Sequence, residues 1–334
     1  MKAAILGFGT VGSGVWKVLH ENKDRVEKAV GEPVMVTRVL DLRDFPGHPV
    51  ESCLVKDFEE IEDDPQIDIV IECMGGIHPS YEYVSSALEK GKAVVTSNKE
   101  LVASCGAKLM EIANQHQTDF LFEASVGGGI PILNTLRLGL VQEKIDSIEG
   151  ILNGTTNYIL TRMEKEGLPY EQILKDAQAL GYAERNPEAD VMGYDACRKI
   201  AILASMISGK TVRYEDIPTE GIIEVSLQDI EEARKDGKRI RLVAKAALTE
   251  DGVTASVRPE RIREDHPLAG VQGVFNAVLI HGNMVGDIML EGQGAGKEAT
   301  ASAVVSDVIY ALKQRRNGLY EPVGWTEQIC PVNA

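Results

Sequence analysis

The chain has 334 residues, 44% of them apolar and 26% charged, a balance that excludes a disordered or fibrous protein. At about 150 residues per domain this length predicts two domains. Lys and Arg number 35 against 51 Asp and Glu, a formal net charge of −16, so neither nucleic acid nor an anionic membrane surface is an expected partner.

Met1 to Leu6 is too short an apolar run for a signal sequence, and no run approaches a membrane span. Cysteines stand at 53, 73, 105, 197 and 330 with no CxxC pair, which reads as scattered reduced thiols. The expectation is a soluble, cytoplasmic protein.

The first half alternates strands and helices. Lys2–Leu6 reads as a strand, 13–30 as a helix, 34–40 and 67–72 as strands, 79–90 as a helix, Ala93–Thr96 as a strand, Lys99–Gln115 as a helix and 120–123 as a strand. This order implies right-handed crossovers and a doubly wound, mostly parallel sheet of the Rossmann type over residues 1–130.

Gly7-Phe8-Gly9-Thr10-Val11-Gly12 sits between the first strand and the first helix. Gly7 permits a tight turn, Gly9 a close approach of backbone to a pyrophosphate, and Gly12 close packing of helix on strand. The phosphates then meet the free N–H groups of a helix N-terminus. A bound dinucleotide is expected. Asp41, at the end of the second strand, is placed to accept hydrogen bonds from ribose hydroxyls and to repel a 2′-phosphate, which favours NAD over NADP. Arg43 is the competing cation that would hold such a phosphate, and Asp41 as a plain turn residue before Pro46-Gly47 is the blander alternative.

Beyond residue 130 the pattern changes. Helices are expected at about 131–139, 155–166, 170–180 and 193–208, with a strand at 146–152. Strands follow at 239–248, 253–257, 276–281 and 287–290. Short polar turns between them predict an α+β unit over 131–296 with a mixed or antiparallel sheet. A last helix at about 297–314 carries small residues and is expected, with 297–334, to pack back on the first domain.

Within the second unit the stretch from Gly181 to Lys199 opens as an acidic loop and becomes helical. Asp195 and Lys199, four apart, share one helix face. On spacing alone this is a surface ion pair; the functional alternative is a proton shuttle beside a bound amino group.

Here the residues carry a resemblance. Residues 7–14, Thr96-Ser97-Asn98-Lys99-Glu100, Glu123-Ala124-Ser125-Val126-Gly127-Gly128-Gly129-Ile130-Pro131, Gly150-Ile151-Leu152-Asn153-Gly154-Thr155-Thr156-Asn157, 181–199, and Gly292-Gln293-Gly294-Ala295-Gly296 with Thr300 to Val304 resemble motifs of the homoserine dehydrogenases, in the right order, as far as about residue 324. The resemblance implies NAD(P)-dependent interconversion of L-homoserine and L-aspartate 4-semialdehyde, a step toward threonine and methionine. It implies that Lys199 is the general acid/base, with Lys99 near the nicotinamide and the reacting oxygen. Glu184, Asp190 and Asp195 would bind homoserine and its amino group, and Gly296 would lie by the cofactor. The loop of Glu123 with the carbonyls of Val126, Gly128 and Ile130 resembles a site for a monovalent cation, Na⁺. A homodimer is expected by resemblance and because antiparallel strands leave an edge for a partner to cover. A regulatory ACT domain after the last helix, and feedback through one, are not expected.

The chemistry agrees with the residue types. Oxidising a primary alcohol requires a base for the hydroxyl proton, and a lysine serves if burial and a neighbouring cation lower its pKa, while Asp195 opposes that shift. Two rivals stand beside this reading. An aldehyde dehydrogenase would use Cys73 as a thiolate nucleophile. A non-catalytic Rossmann sensor would explain residues 7–12 and leave Glu184, Asp195 and Lys199 idle.

Overall fold

The computed structural model describes residues 1–322 and 324–333; positions 323 and 334, inside the range 297–334, lie outside the described residues. The chain divides into two compact units, Met1–Pro131 with Gly296–Glu327, and Ile132–Ala295 with 328–333. The end of the chain thus joins the second unit, where sequence reasoning had placed it in the first.

The first unit is built on β1 (Lys2–Leu6), β2 (Met35–Leu40), β3 (Leu54–Val55), β4 (Ile69–Glu72), β5 (Ala93–Thr96) and β6 (Phe120–Leu121), in the order β3-β2-β1-β4-β5-β6 and parallel throughout. β1, β4 and β5 read as nearly unbroken apolar runs because both faces of the sheet are covered. The register levels the strand ends. Leu6 stands beside Leu40 on one side and Glu72 on the other, and Glu72 beside Thr96. Gly7, Asp41, Cys73 and Ser97 therefore all emerge at one edge, where the strand order reverses and α/β sheets bind their ligands. The helix Lys297–Arg316 completes this unit: its Ala301, Val304, Val308 and Leu312 join Ile5, Val15, Val39 and Ile71 in one core.

The second unit holds a six-stranded sheet in the order Gly286–Gln293, Phe275–Gly282, Ile145–Ile151, Lys238–Thr249, Gly252–Arg263, Val332–Asn333. All neighbours are antiparallel except the last pair. The expected α/β architecture, a doubly wound parallel sheet plus an α+β unit with a mixed sheet, is the one observed.

Several boundaries differ. The segment 13–30 is two helices, Thr10–Glu21 and Lys23–Val30, divided at Asn22, a weak helix former. The first begins directly after Gly9, which places its N-terminus at the glycine turn. The strand expected at 120–123 stops at Leu121, and Glu123–Ser125 winds as a 3₁₀ turn. The segment 131–139 is one helical turn, Ile132–Asn134, run into a π turn, Thr135–Gly139. The strand expected to stop at Val257 continues through Pro259 to Arg263. That proline is tolerated because, among the described residues, pairing on the strand's other side is confined to Val253, Thr254 and a bridge from Val257 to Thr219, which leaves Pro259 on an edge.

Candidate active site

The glycine turn follows from sterics. Gly7 lies at φ +87°, where a β-carbon would press on the Cys73 carbonyl at 3.1 Å. A β-carbon on Gly12 would fall on the Gly7 carbonyl oxygen and 3.3 Å from Ile5, so only glycine lets the helix start so close to β1. Asp41 is fixed beside this turn. Its Oδ2 accepts from the Phe8 N–H at 2.7 Å and from Arg43 Nη2 at 2.8 Å, and its Oδ1 accepts from the Arg43 backbone N–H at 2.9 Å and Nε at 3.0 Å. Bonding to the Arg43 side chain, with the two backbone N–H bonds, outweighs burial and holds the Asp41 carboxyl down at about 2.

Across the strand switch, sequence reasoning missed Glu72. It is fully buried. Its Oε1 accepts from the backbone N–H of Met74 at 2.7 Å and Gly75 at 3.2 Å and from Ser80 Oγ at 3.2 Å; Thr96 Oγ1 donates to Oε2 at 2.5 Å. Thr96 Oγ1 in turn accepts from the Asn98 N–H at 2.9 Å, and Asn98 caps the helix that Lys99 opens, accepting from the Leu101 N–H at 3.1 Å. One buried carboxylate so fixes both the loop after β4 and the helix start that presents Lys99. A Glu at the end of an apolar strand is the only signal the sequence held for it.

The second unit assembles a different cluster, at the end of the strand Ile145–Ile151 and on the helix Tyr194–Ser208. Lys199 and Asp195 are buried, and Lys199 Nζ donates to Asp195 Oδ2 at 2.8 Å and to the Leu152 carbonyl at 2.7 Å. The pair is therefore no surface ion pair; burying two charges is costly unless each is held by partners, as both are. Asn153 donates from Nδ2 to Asp190 Oδ1 at 2.7 Å and to Asp195 Oδ2 at 2.9 Å. A buried amine, two carboxylates and a backbone carbonyl on one side of one helix can hold an ammonium group and pass a proton.

Comparison with known proteins identifies the family. The chain matches the family model described as homoserine dehydrogenase over residues 131–309, and the homoserine dehydrogenase NAD binding domain over 7–123. It is 42% identical over 326 residues to the homoserine dehydrogenase of Bacillus subtilis, covering 96% of this chain and 74% of that one. The chain belongs to the homoserine dehydrogenases. Among solved structures it is similar to the homoserine dehydrogenase of Thiobacillus denitrificans, at 37% identity and a TM-score of 0.93, covering 99% of this chain and 79% of that one. It is also similar to a hyperthermophilic archaeal homoserine dehydrogenase in complex with NADPH, at 29% identity and a TM-score of 0.78, covering 93% and 97%.

The chain is thus an NAD(P)-dependent oxidoreductase with homoserine dehydrogenase activity, and among its described residues no helix is long and apolar enough to cross a membrane. The residues expected at its site fall in several places. Gly7 to Gly12, Asp41 and Lys99 lie at the one edge of the parallel sheet. Gly296, at φ +117°, precedes the first turn of the helix Lys297–Arg316, whose Lys297 carbonyl lies where a β-carbon on Gly14 would come within 2.9 Å, beside the glycine turn. Asp190, Asp195 and Lys199 are joined by the hydrogen bonds above. Glu184 is not part of that network: it is exposed on the loop after the helix Tyr170–Ala179, its backbone carbonyl accepting from Gln178 Nε2 at 3.0 Å. Glu123, Val126, Gly128 and Ile130 are all buried. Burial pushes the Cys73 thiol far above the usual range, with the Glu72 charge acting in the same direction, which removes the thiolate that the aldehyde dehydrogenase reading requires.

Proposed function

We propose that Lys199 is the proton-transferring base and acid of the reaction between L-homoserine and L-aspartate 4-semialdehyde. The observation that carries this is the buried contact of its Nζ with Asp195 and the Leu152 carbonyl, which fixes one amine in place. The bound nicotinamide supplies the hydride acceptor. Lys199 takes the hydroxyl proton during oxidation and returns it during reduction. Asp195 orients Nζ. Asp190 and the exposed side chain of Glu184 offer negative charge to the substrate's ammonium group. Lys99, the first residue of its helix at the end of β5, serves the nicotinamide end of the cofactor.

The cofactor is held by the glycine turn and the N-terminus of the Thr10–Glu21 helix, with Gly296 beside them; we read Asp41 as favouring NAD. The Glu123 loop fits Na⁺, since one buried carboxylate and the carbonyls of Val126, Gly128 and Ile130 make a hard-oxygen set of single negative charge. The product feeds threonine and methionine synthesis, in the cytoplasm. A homodimer through the second unit is supported by its sheet. Ser147, Glu149, Lys245, Ala247, Thr254 and Ser256 alternate with buried residues and stand half-exposed, as a sheet face awaiting a partner would.

Lys199→Ala tests the assignment. Its kcat should fall by roughly 10²- to 10⁴-fold in both directions, with the Kd for the nicotinamide cofactor unchanged. Turnover within threefold of the parent in the variant would move the proton elsewhere, with Lys99 next in line.

A further inference from the structure

Asn153 is buried, and every hydrogen-bonding position of its side-chain amide is in use. The two N–H donors go to two different carboxylates, Asp190 Oδ1 at 2.7 Å and Asp195 Oδ2 at 2.9 Å. The oxygen accepts from the Thr156 N–H at 2.9 Å and Thr156 Oγ1 at 3.0 Å, and so caps the helix Gly154–Glu166. The amide can point only one way. Reversed, its oxygen would face two carboxylates and its NH₂ would face a backbone N–H.

Two carboxylates brought together without a donor between them repel each other, and a low-dielectric pocket strengthens that repulsion. Asn153 stands between them, and it does so from the residue after Leu152, whose carbonyl receives the Lys199 amine. The strand end therefore fixes the amine through its carbonyl and the amine's counter-ion through the next side chain. The Asp195 oxygen that Asn153 holds is the same Oδ2 that accepts from Lys199.

We propose that Asn153 is a positioning residue for this reaction, clamping Asp190 and Asp195 together so that the ammonium-binding charge and the Lys199 proton shuttle share one geometry. This rests on the roles given above to Asp190, Asp195 and Lys199. No other residue type offers two donors and a cap acceptor on a side chain of this length, glutamine carrying the same amide one methylene further out. Serine would cap the helix equally well but has one donor in place of two and does not reach both acids. Aspartate would cap the helix, lose both donors and add a third negative charge.

The cap and the clamp are therefore separable. In Asn153→Ser the helix cap is kept, so the Tm should fall only by the few degrees that losing the two amide bonds to Asp190 and Asp195 costs, with the chain still folded. Its KM for L-homoserine should rise and its kcat fall, together lowering kcat/KM by roughly 10- to 100-fold for the loss of two charge-assisted hydrogen bonds. NAD(P) binding should be unchanged. Asn153→Asp, of the same length as the parent side chain, should lose more still, and it carries the test if the serine variant does not fold. Either folded variant with kcat and KM within threefold of the parent would overturn the proposal and leave Asn153 a helix cap only. Lys199→Ala measured alongside separates the two ideas. An inactive Lys199→Ala beside a normal Asn153→Ser defeats the clamp alone, whereas a fully active Lys199→Ala defeats the assignment of Lys199 and the clamp with it.

Discussion

The Asp41 carboxylate is occupied on both oxygens, and three of its four donors belong to Arg43. The sequence set these residues against each other, one repelling a 2′-phosphate and the other attracting it. In the fold they neutralise one another. With its carboxyl held at about 2, Asp41 stays ionised at any working pH, but its charge is shared with a guanidinium that is largely exposed. Its repulsion of a phosphate is thereby reduced, so we expect kcat/KM to favour NAD over NADP by about 10-fold or less. Asp41→Ser should free Arg43 and reverse part of that preference. Equal or better kcat/KM with NADP in the parent would show that Arg43 sets the choice, aided by Lys56, whose Nζ donates to the carbonyls of Asp41, Leu42 and Arg43. Legibility at this scale followed distance along the chain. Gly7 to Gly12 declare themselves by local spacing, and Asp195 with Lys199 by helical periodicity. Asn153 meets Asp195 from 42 residues away, and Glu72 meets Thr96 from 24, and no local pattern announces such a partner.

At the scale of elements, the sequence read the strands of the parallel sheet best because each is a short, fully buried apolar run. The helix that most affects the cofactor turn began three residues earlier than expected, since a glycine-rich start carries no helix signal of its own. Its packing depends on Gly14. A β-carbon there would meet the Lys297 carbonyl at 2.9 Å and the Ala301 β-carbon at 3.0 Å, so the two helices touch through a missing side chain. Gly14→Ala should destabilise the folded chain by about 1–3 kcal/mol through overpacking, read as a lowered Tm. An unchanged Tm would mean that the helices separate without cost. The helix Leu227–Lys235 escaped the sequence reading although Ser226 and Asp229 form a reciprocal cap, a signal three residues apart that was there to be used. The strand expected to stop at Val257 runs on through Pro259, because a proline ends a central strand but not an edge.

For the whole molecule, the two units divide the proposed chemistry: the parallel sheet carries the glycine turn, and the mixed sheet with its helices carries the buried Lys199 amine and its acids. If the half-exposed face of the mixed sheet is an isologous interface, light scattering at micromolar concentration should give twice the mass of one chain, and a monomeric mass would contradict it. The claim on which the rest depends is that the chain moves hydride from L-homoserine to a nicotinamide with Lys199 taking the proton. The direct measurement is formation of reduced nicotinamide when L-homoserine is added to the purified chain, with NAD and with NADP, beside Lys199→Ala. The account predicts saturable reduction by the parent and its near-complete loss in the variant. Tight cofactor binding with no homoserine-dependent reduction of either cofactor would contradict it and leave a nucleotide-binding sensor in its place.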